Sequence, residues 1–343
     1  MTHHALRLHL DSAALVANWR WLQRTAGVAA GAAVKADGYG LGAREVAARL
    51  GAAGCRDFFV STWAEAEALG RLPEGANLSV LHGVGPDDLE AALASMARPV
   101  LNTAGQVARW NTAAPGRACD VMVDTGMNRL GLRADEIDLL DGLAIDTLMS
   151  HLACADADHA MNRAQRDRFA AVAATVPAKR ASLANSAGIC LGADFAFDLV
   201  RPGLALYGGI PRDEAIGHIA QVAYPEAEVL QRRIVRADES IGYGATWTAS
   251  RDTEAAIVNI GYADGYLRCF AGKGSASAGG RSLPLIGRVS MDLVALDASA
   301  APEIGEGDWV RLDYDLPAAS AVTGLSQYEL LTGLSPRFER RWS

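Results

Sequence analysis

Between residue 30 and about residue 208, short apolar and β-branched runs alternate with longer Ala-rich stretches of helical periodicity. The runs fall at 31–36, 58–62, 78–83, 98–102, 118–125, 144–152, 180–186 and 199–207. Segments such as REVAARLGAAG, WAEAEALGRL and DDLEAALASMA lie between them, and Thr62, Asp87 and Thr103 stand where helix caps are expected. Eight strands alternating with helices predict parallel βα units closed into a TIM-like (β/α)8 barrel. Beyond about residue 220 the alternation shortens and Gly, Pro and Asp turns become frequent, as in TEAAIVNIGYADG and GDWVRLDYD. That texture predicts a C-terminal, mainly antiparallel β-domain. The expected division is 11–220 for the barrel and 221–343 for the β-domain, with ALRLHL (5–10) a strand that joins the latter.

Composition narrows the partners. Half of the 343 residues are hydrophobic and the formal net charge is −8, which argues against nucleic acid and anionic membrane surfaces. No apolar stretch approaches the ~20 residues of a membrane span, and no secretory signal pattern opens the chain. Five scattered cysteines without a CxxC pair fit free thiols in a reducing cytoplasm. HLACADADH (151–159) clusters His, Cys and Asp, but no second cluster completes a metal site.

In such a barrel, function collects on the loops after the strands. Lys35 and Tyr39 follow the first run, Arg129 the fifth, His151 ends the sixth, Asn185-Ser186-Ala187-Gly188 ends the seventh, and Arg201 and Gly203 lie in the eighth. Loops seven and eight are the usual phosphate cradle of this fold, and backbone N–H groups with the Ser186 hydroxyl suit that task. A lysine in apolar surroundings has its charged form disfavoured, so its neutral amine can form an imine with an aldehyde. A phosphate cradle beside such a lysine points to pyridoxal 5′-phosphate. The glycines at 38, 40 and 42 would let the backbone turn so that Tyr39 faces the same cavity.

The motifs AAVKADGYGLG, VDTGMNRLGL, SHLACAD, NSAG, VRPGLALYGG, IGYGATW, NIGYADGY and GRVSMD run through the chain in one order. With them the sequence resembles the alanine racemase family. The resemblance implies a pyridoxal-phosphate enzyme that interconverts L- and D-alanine and supplies D-alanine for peptidoglycan, as a cytoplasmic head-to-tail homodimer with shared sites. It makes Lys35 the cofactor-binding lysine and one catalytic base, and Tyr243 the opposite base. Tyr39, Asn185, Ser186, Gly203 and Leu204 match phosphate-side positions. Arg129 matches the arginine near the cofactor phenolic oxygen and substrate carboxylate. Arg201 matches the partner of the pyridine nitrogen, with His151 beside it. Met291 and Asp292 match residues that approach substrate, and Asp156, Tyr262, Arg268 and Arg288 match the lining of the access corridor. Tyr243, Met291 and Asp292 would reach the site from the second subunit.

Arginine is always charged and can only donate, so at position 201 it would leave the ring nitrogen unprotonated and moderate the electron sink. That disfavours the barrel-type decarboxylases, which by resemblance carry an acid there. Racemisation of serine and a non-catalytic cofactor-binding barrel are the other readings; the second lacks a β-domain like residues 221–343. Two positions depart from the family pattern. Met122 stands where many members carry a carbamylated lysine that orients the arginine, which leaves Asn128 or a bound anion as candidates for that task. Near the C-terminus Tyr328 is present, but Pro336 occupies the place of a phosphate-binding tyrosine in some members.

Overall fold

The sequence alternation folds into a ring of parallel strands. In the computed structural model, which describes residues 3–343, the chain divides into two compact units. One is Ala14–Ala220; the other combines the described residues up to Ala13 with Gln221–Ser343.

In the first unit, barrel strand one runs through Ala29–Ala30 and Ala32–Ala33. Strands two to seven are Asp57–Val60, Asn77–Val80, Arg98–Leu101, Cys119–Met122, Ile145–Met149 and Arg180–Ser182. Each pairs in parallel with the next. Leu199–Val200 is the eighth strand and closes the ring by pairing in parallel with Ala29–Ala30. Arg201 N donates to Ala184 O at 2.8 Å and Ala33 N to Pro202 O at 2.9 Å, which ties the eighth strand to both neighbours. Inside, Phe59, Val100, Met122, Met149 and Leu199 form one apolar cluster.

Each of the eight sequence runs overlaps a strand, and each strand ends before its run does. The surplus residues, such as Lys35 after strand one and Leu204–Tyr207 after strand eight, turn into loops or short helices. Thr62 caps Trp63–Leu69 in a reciprocal capping box, and Thr103 accepts from Gln106 N at 3.2 Å to cap Ala104–Ala113. Asp87 is not a cap. Asp88 holds that position at Leu89–Ala94, and its carboxylate instead accepts from Gly85 N at 2.8 Å within the preceding turn.

In the second unit, the 13-residue strand Ala223–Val235 shifts register between Val229 and Gln231. Its first half pairs with Trp309–Leu312 and its second with Thr253–Val258. Continuing through Val294–Asp297, Arg281–Ile286 and Ser275–Ala278 returns to Trp309–Leu312, so six antiparallel strands close on themselves. Leu6–Leu10 adds to the long strand antiparallel, and Glu339–Trp342 adds to Leu6–Leu10 in parallel. Closure and this cover spare the unit most of its open sheet edge. Among the described residues, no helix is long and apolar enough to cross a membrane.

Candidate active site

Strand one delivers Lys35 to the C-terminal rim of the barrel. The chain then makes a left-handed turn: Ala36, Asp37, Gly38 and Tyr39 have φ of 52°, 50°, 63° and 56°. Only one of the four is glycine, so the permissive backbone expected from glycines is in fact imposed on three residues with a Cβ, at ~1–2 kcal/mol each. Neighbouring carboxylates hold the turn. Glu65 Oε1 accepts from Ala36 N at 2.8 Å, and Asp37 Oδ1 accepts from Ala43 N at 2.8 Å. The other Glu65 oxygen accepts from Ser61 N at 2.6 Å, so one side chain joins the ends of strands one and two.

The half-buried Lys35 ammonium has its pKa lowered by burial and then by the Arg129 charge, while Glu65 opposes the shift. His151, at the end of strand six, is drawn down to about 3 by burial and by Arg201, Arg129 and Lys35, which keeps its imidazole neutral. Arg201 is buried and donates to Ser182 Oγ and to the Ser150 carbonyl; burial lowers its pKa to about 10, with Asp120 opposing. Neither partner is a carboxylate. Arg129 is exposed in the loop after strand five and forms no ion pair or hydrogen bond with the described residues. Met122 is buried among apolar neighbours, and Asn128 Nδ2 donates to the Gly126 carbonyl at 3.4 Å, so neither supplies Arg129 with a partner.

Loops seven and eight meet at Ser186. Its buried Oγ accepts from Gly203 N at 3.0 Å and Ala205 N at 3.2 Å. Asn185 caps Ser186–Cys190 by accepting from Gly188 N at 2.9 Å. Leu204 opens the turn Leu204–Tyr207, where N–H groups lack partners inside the helix. Tyr39 stacks on Tyr207 with ring centroids 4.7 Å apart, and a Cβ at Gly203 would collide with the Tyr39 hydroxyl. Tyr207 in turn donates to the Ala33 carbonyl at 2.7 Å. The structure thus gathers Lys35, Tyr39, Arg129, His151, Asn185, Ser186, Arg201, Gly203 and Leu204 on the loops at one end of the barrel. Asp156 lies exposed in the loop after strand six. Among the described residues no metal-binding cluster is present; His159 instead caps Ala160–Ala173, and Asp158 pairs with Arg212.

In the second unit, Tyr243 opens a short turn and is 71% exposed. The Arg288 guanidinium lies against Gly244 of that turn. Arg268 sits over the Tyr262 ring, 5.2 Å from its centroid. Met291 is exposed and Asp292 is bound by Arg337. Tyr328 lies on the helix Gln327–Thr332. Sequence reading missed Glu65, Tyr207 and Ala205. Only the Thr-x-x-Glu capping box was visible as a signal for Glu65.

Fold and site together define a class: a (β/α)8 barrel whose strand ends bring a desolvated lysine, cations without a carboxylate partner and an anion cradle together, followed by a closed β-domain. The family models for the alanine racemase N-terminal and C-terminal domains match residues 10–211 and 222–342. The alanine racemase of Acidiphilium cryptum is 43% identical over 97% of both chains. The catabolic alanine racemase of Agrobacterium fabrum is 41% identical over 98% of this chain and 91% of its own. Among solved structures, the alanine racemase of Bartonella henselae with covalently bound pyridoxal phosphate superposes with a TM-score of 0.91 at 35% identity, covering 99% of this chain and 100% of its own. The chain belongs to the alanine racemase family.

Proposed function

We propose that the protein interconverts L- and D-alanine with pyridoxal 5′-phosphate, as a cytoplasmic homodimer that supplies D-alanine for peptidoglycan. The observation that carries this reading is a desolvated amine, Lys35, set among cations that have no carboxylate partner and beside the Ser186 cradle. The residues fit the cofactor. A phosphate suits the N–H groups around Ser186, and the lack of a Cβ at position 203 lets the Tyr39 hydroxyl come up against them. When bound, the cofactor supplies an aldehyde for amines and an electron-accepting ring that acidifies the Cα–H of an amino acid.

Lys35, its charged form disfavoured, takes or returns the Cα proton on one face. Tyr243, contributed by a second copy of the chain, serves the other. Arg201 can donate but not accept, so it presents a hydrogen-bond donor to a ring nitrogen and holds no transferable proton there. His151 stays neutral beside it, which spares the site another cation. Arg129, without a partner among the described residues, is available to the substrate carboxylate. Met291 and Asp292 border the substrate, and Asp156, Tyr262, Arg268 and Arg288 line the access corridor.

The test is purification, measurement of cofactor absorbance, and optical rotation of L-alanine. Lys35→Ala should lose both absorbance and activity. Tyr243→Phe should keep the absorbance and lose ~10²–10⁴-fold in rate, the usual worth of a positioned acid–base group. Mixing these two inactive variants should restore part of the rate if the two bases come from different chains. Full-speed racemisation by Tyr243→Phe would remove the second base from this account.

A further inference from the structure

Three segments of the second unit meet at Asp264, a fully buried acid in the turn Tyr262–Asp264. One oxygen, Oδ2, accepts from Gly261 N at 3.0 Å. The other, Oδ1, faces Ser335 Oγ at 3.3 Å and Arg337 Nη1 at 3.2 Å. The same Arg337 nitrogen donates to Asp292 Oδ1 at 2.8 Å. Backbone bonds complete the join, since Tyr262 N donates to Ser290 O and Ala263 N to Met291 O, both at 3.0 Å. The segments approach too closely for side chains at the crossings. A Cβ on Gly261 would collide with the Met291 carbonyl, and one on Gly265 with the Gly333 carbonyl.

We infer that Arg337 is a positioning residue, clamped between buried Asp264 and half-exposed Asp292, that fixes and neutralises the Asp292 carboxylate and so holds the 290–292 loop where it meets substrate. The inference rests on the proposed placement of Met291 and Asp292 beside the substrate. Its physical content is electrostatic as well as mechanical. Two carboxylates share one guanidinium, so removing Arg337 leaves Asp292 uncompensated where an amino-acid carboxylate must arrive, and like charges repel. Asp264 keeps Arg337 from following Asp292 into solvent, because it is anchored by a backbone N–H inside the unit.

The test is a double-mutant cycle on the cofactor-loaded enzyme. Arg337→Met should raise KM for L-alanine about ten-fold while kcat stays within about two-fold, the pattern of lost ground-state binding. In an Asp292→Asn background the same replacement should change KM less than about two-fold. Hydrogen exchange of amides 288–293 should quicken in Arg337→Met, with barrel amides unchanged. Should Arg337→Met fail to fold, Arg337→Lys keeps a cation against Asp264 and is too short to span both acids. It should then raise KM with Asp292 present and leave it unchanged with Asn at that position. A wild-type enzyme that racemises alanine, combined with an unchanged KM in the variant or an equal rise in both backgrounds, overturns the inference alone. A wild-type chain that binds no cofactor and leaves L-alanine unchanged overturns the proposed function, and this inference with it.

Discussion

The two ends of the barrel treat charge in opposite ways. At the N-terminal ends of the strands the ionic groups are knitted together. Arg180 reaches both Asp57 oxygens at 2.9 and 3.0 Å and Asp146 at 2.9 Å. Arg98 reaches Asp120 at 3.2 Å and Asp146 at 3.1 Å. Asp120 also accepts from Ser79 Oγ at 2.6 Å and from Thr147 N at 3.0 Å. Six consecutive strands, two to seven, are linked in this way. At the C-terminal ends Lys35, Arg129 and Arg201 form no ion pair among the described residues, and Arg201 does so while buried. Paired charges at one end hold strands together; cations without a carboxylate partner at the other are a cost that an anionic cofactor and substrate relieve. Stability and function are therefore separable by position along the same strands.

The largest effect that can break this contrast is expected at the lower belt. Asp120→Ala removes a fully buried acid and leaves Ser79 Oγ–H, Thr147 N–H and part of Arg98 without an acceptor. Breaking such a buried network costs about 3–5 kcal/mol, readable as a lower denaturation midpoint, while kcat of the remaining folded enzyme stays close to wild type. The complement lies on the rim. Arg129→Gln should cost ~10²-fold in kcat/KM, the scale of one lost charged contact to reacting groups, and leave the denaturation midpoint unchanged. If both variants lost stability and activity in parallel, the division of labour between the two ends would be wrong.

Much of this was legible in the sequence. The eight runs located the barrel strands because a strand covered on both faces needs continuous apolar residues, and Lys35, His151 and Arg201 stood out as polar side chains within such runs. What was not legible depends on pairs distant in sequence. Glu65 bonds Ala36 across 29 positions, and Asp264, Asp292 and Arg337 meet from three segments. Asp88, not Asp87, holds the cap position, and its carboxylate turns away from the helix to a backbone donor at Gly85. The left-handed stretch after Lys35 was hidden for a different reason. Alanine and tyrosine carry no local signal for positive φ and aspartate only a weak one, so tertiary bonds impose it.

That stretch supplies the smallest and most discriminating test. Ala36 sits at φ 52°, ψ 48°, a conformation that costs a residue with a Cβ ~1–2 kcal/mol. Glycine relieves that cost but loses more freedom on folding, at roughly 0.5–1 kcal/mol. Ala36→Gly should therefore stabilise the enzyme by about 1 kcal/mol or less, measured by denaturant melting at constant cofactor. The bond from the residue 36 N–H to Glu65 does not depend on the side chain, so Lys35 should stay in place and kcat should change little. Destabilisation by more than about 1 kcal/mol would mean that the methyl group packs usefully and the turn is not strained. A large fall in kcat without a stability change would mean something else: that the rigidity of this turn, rather than the desolvation of its lysine, is what the rim contributes to the chemistry.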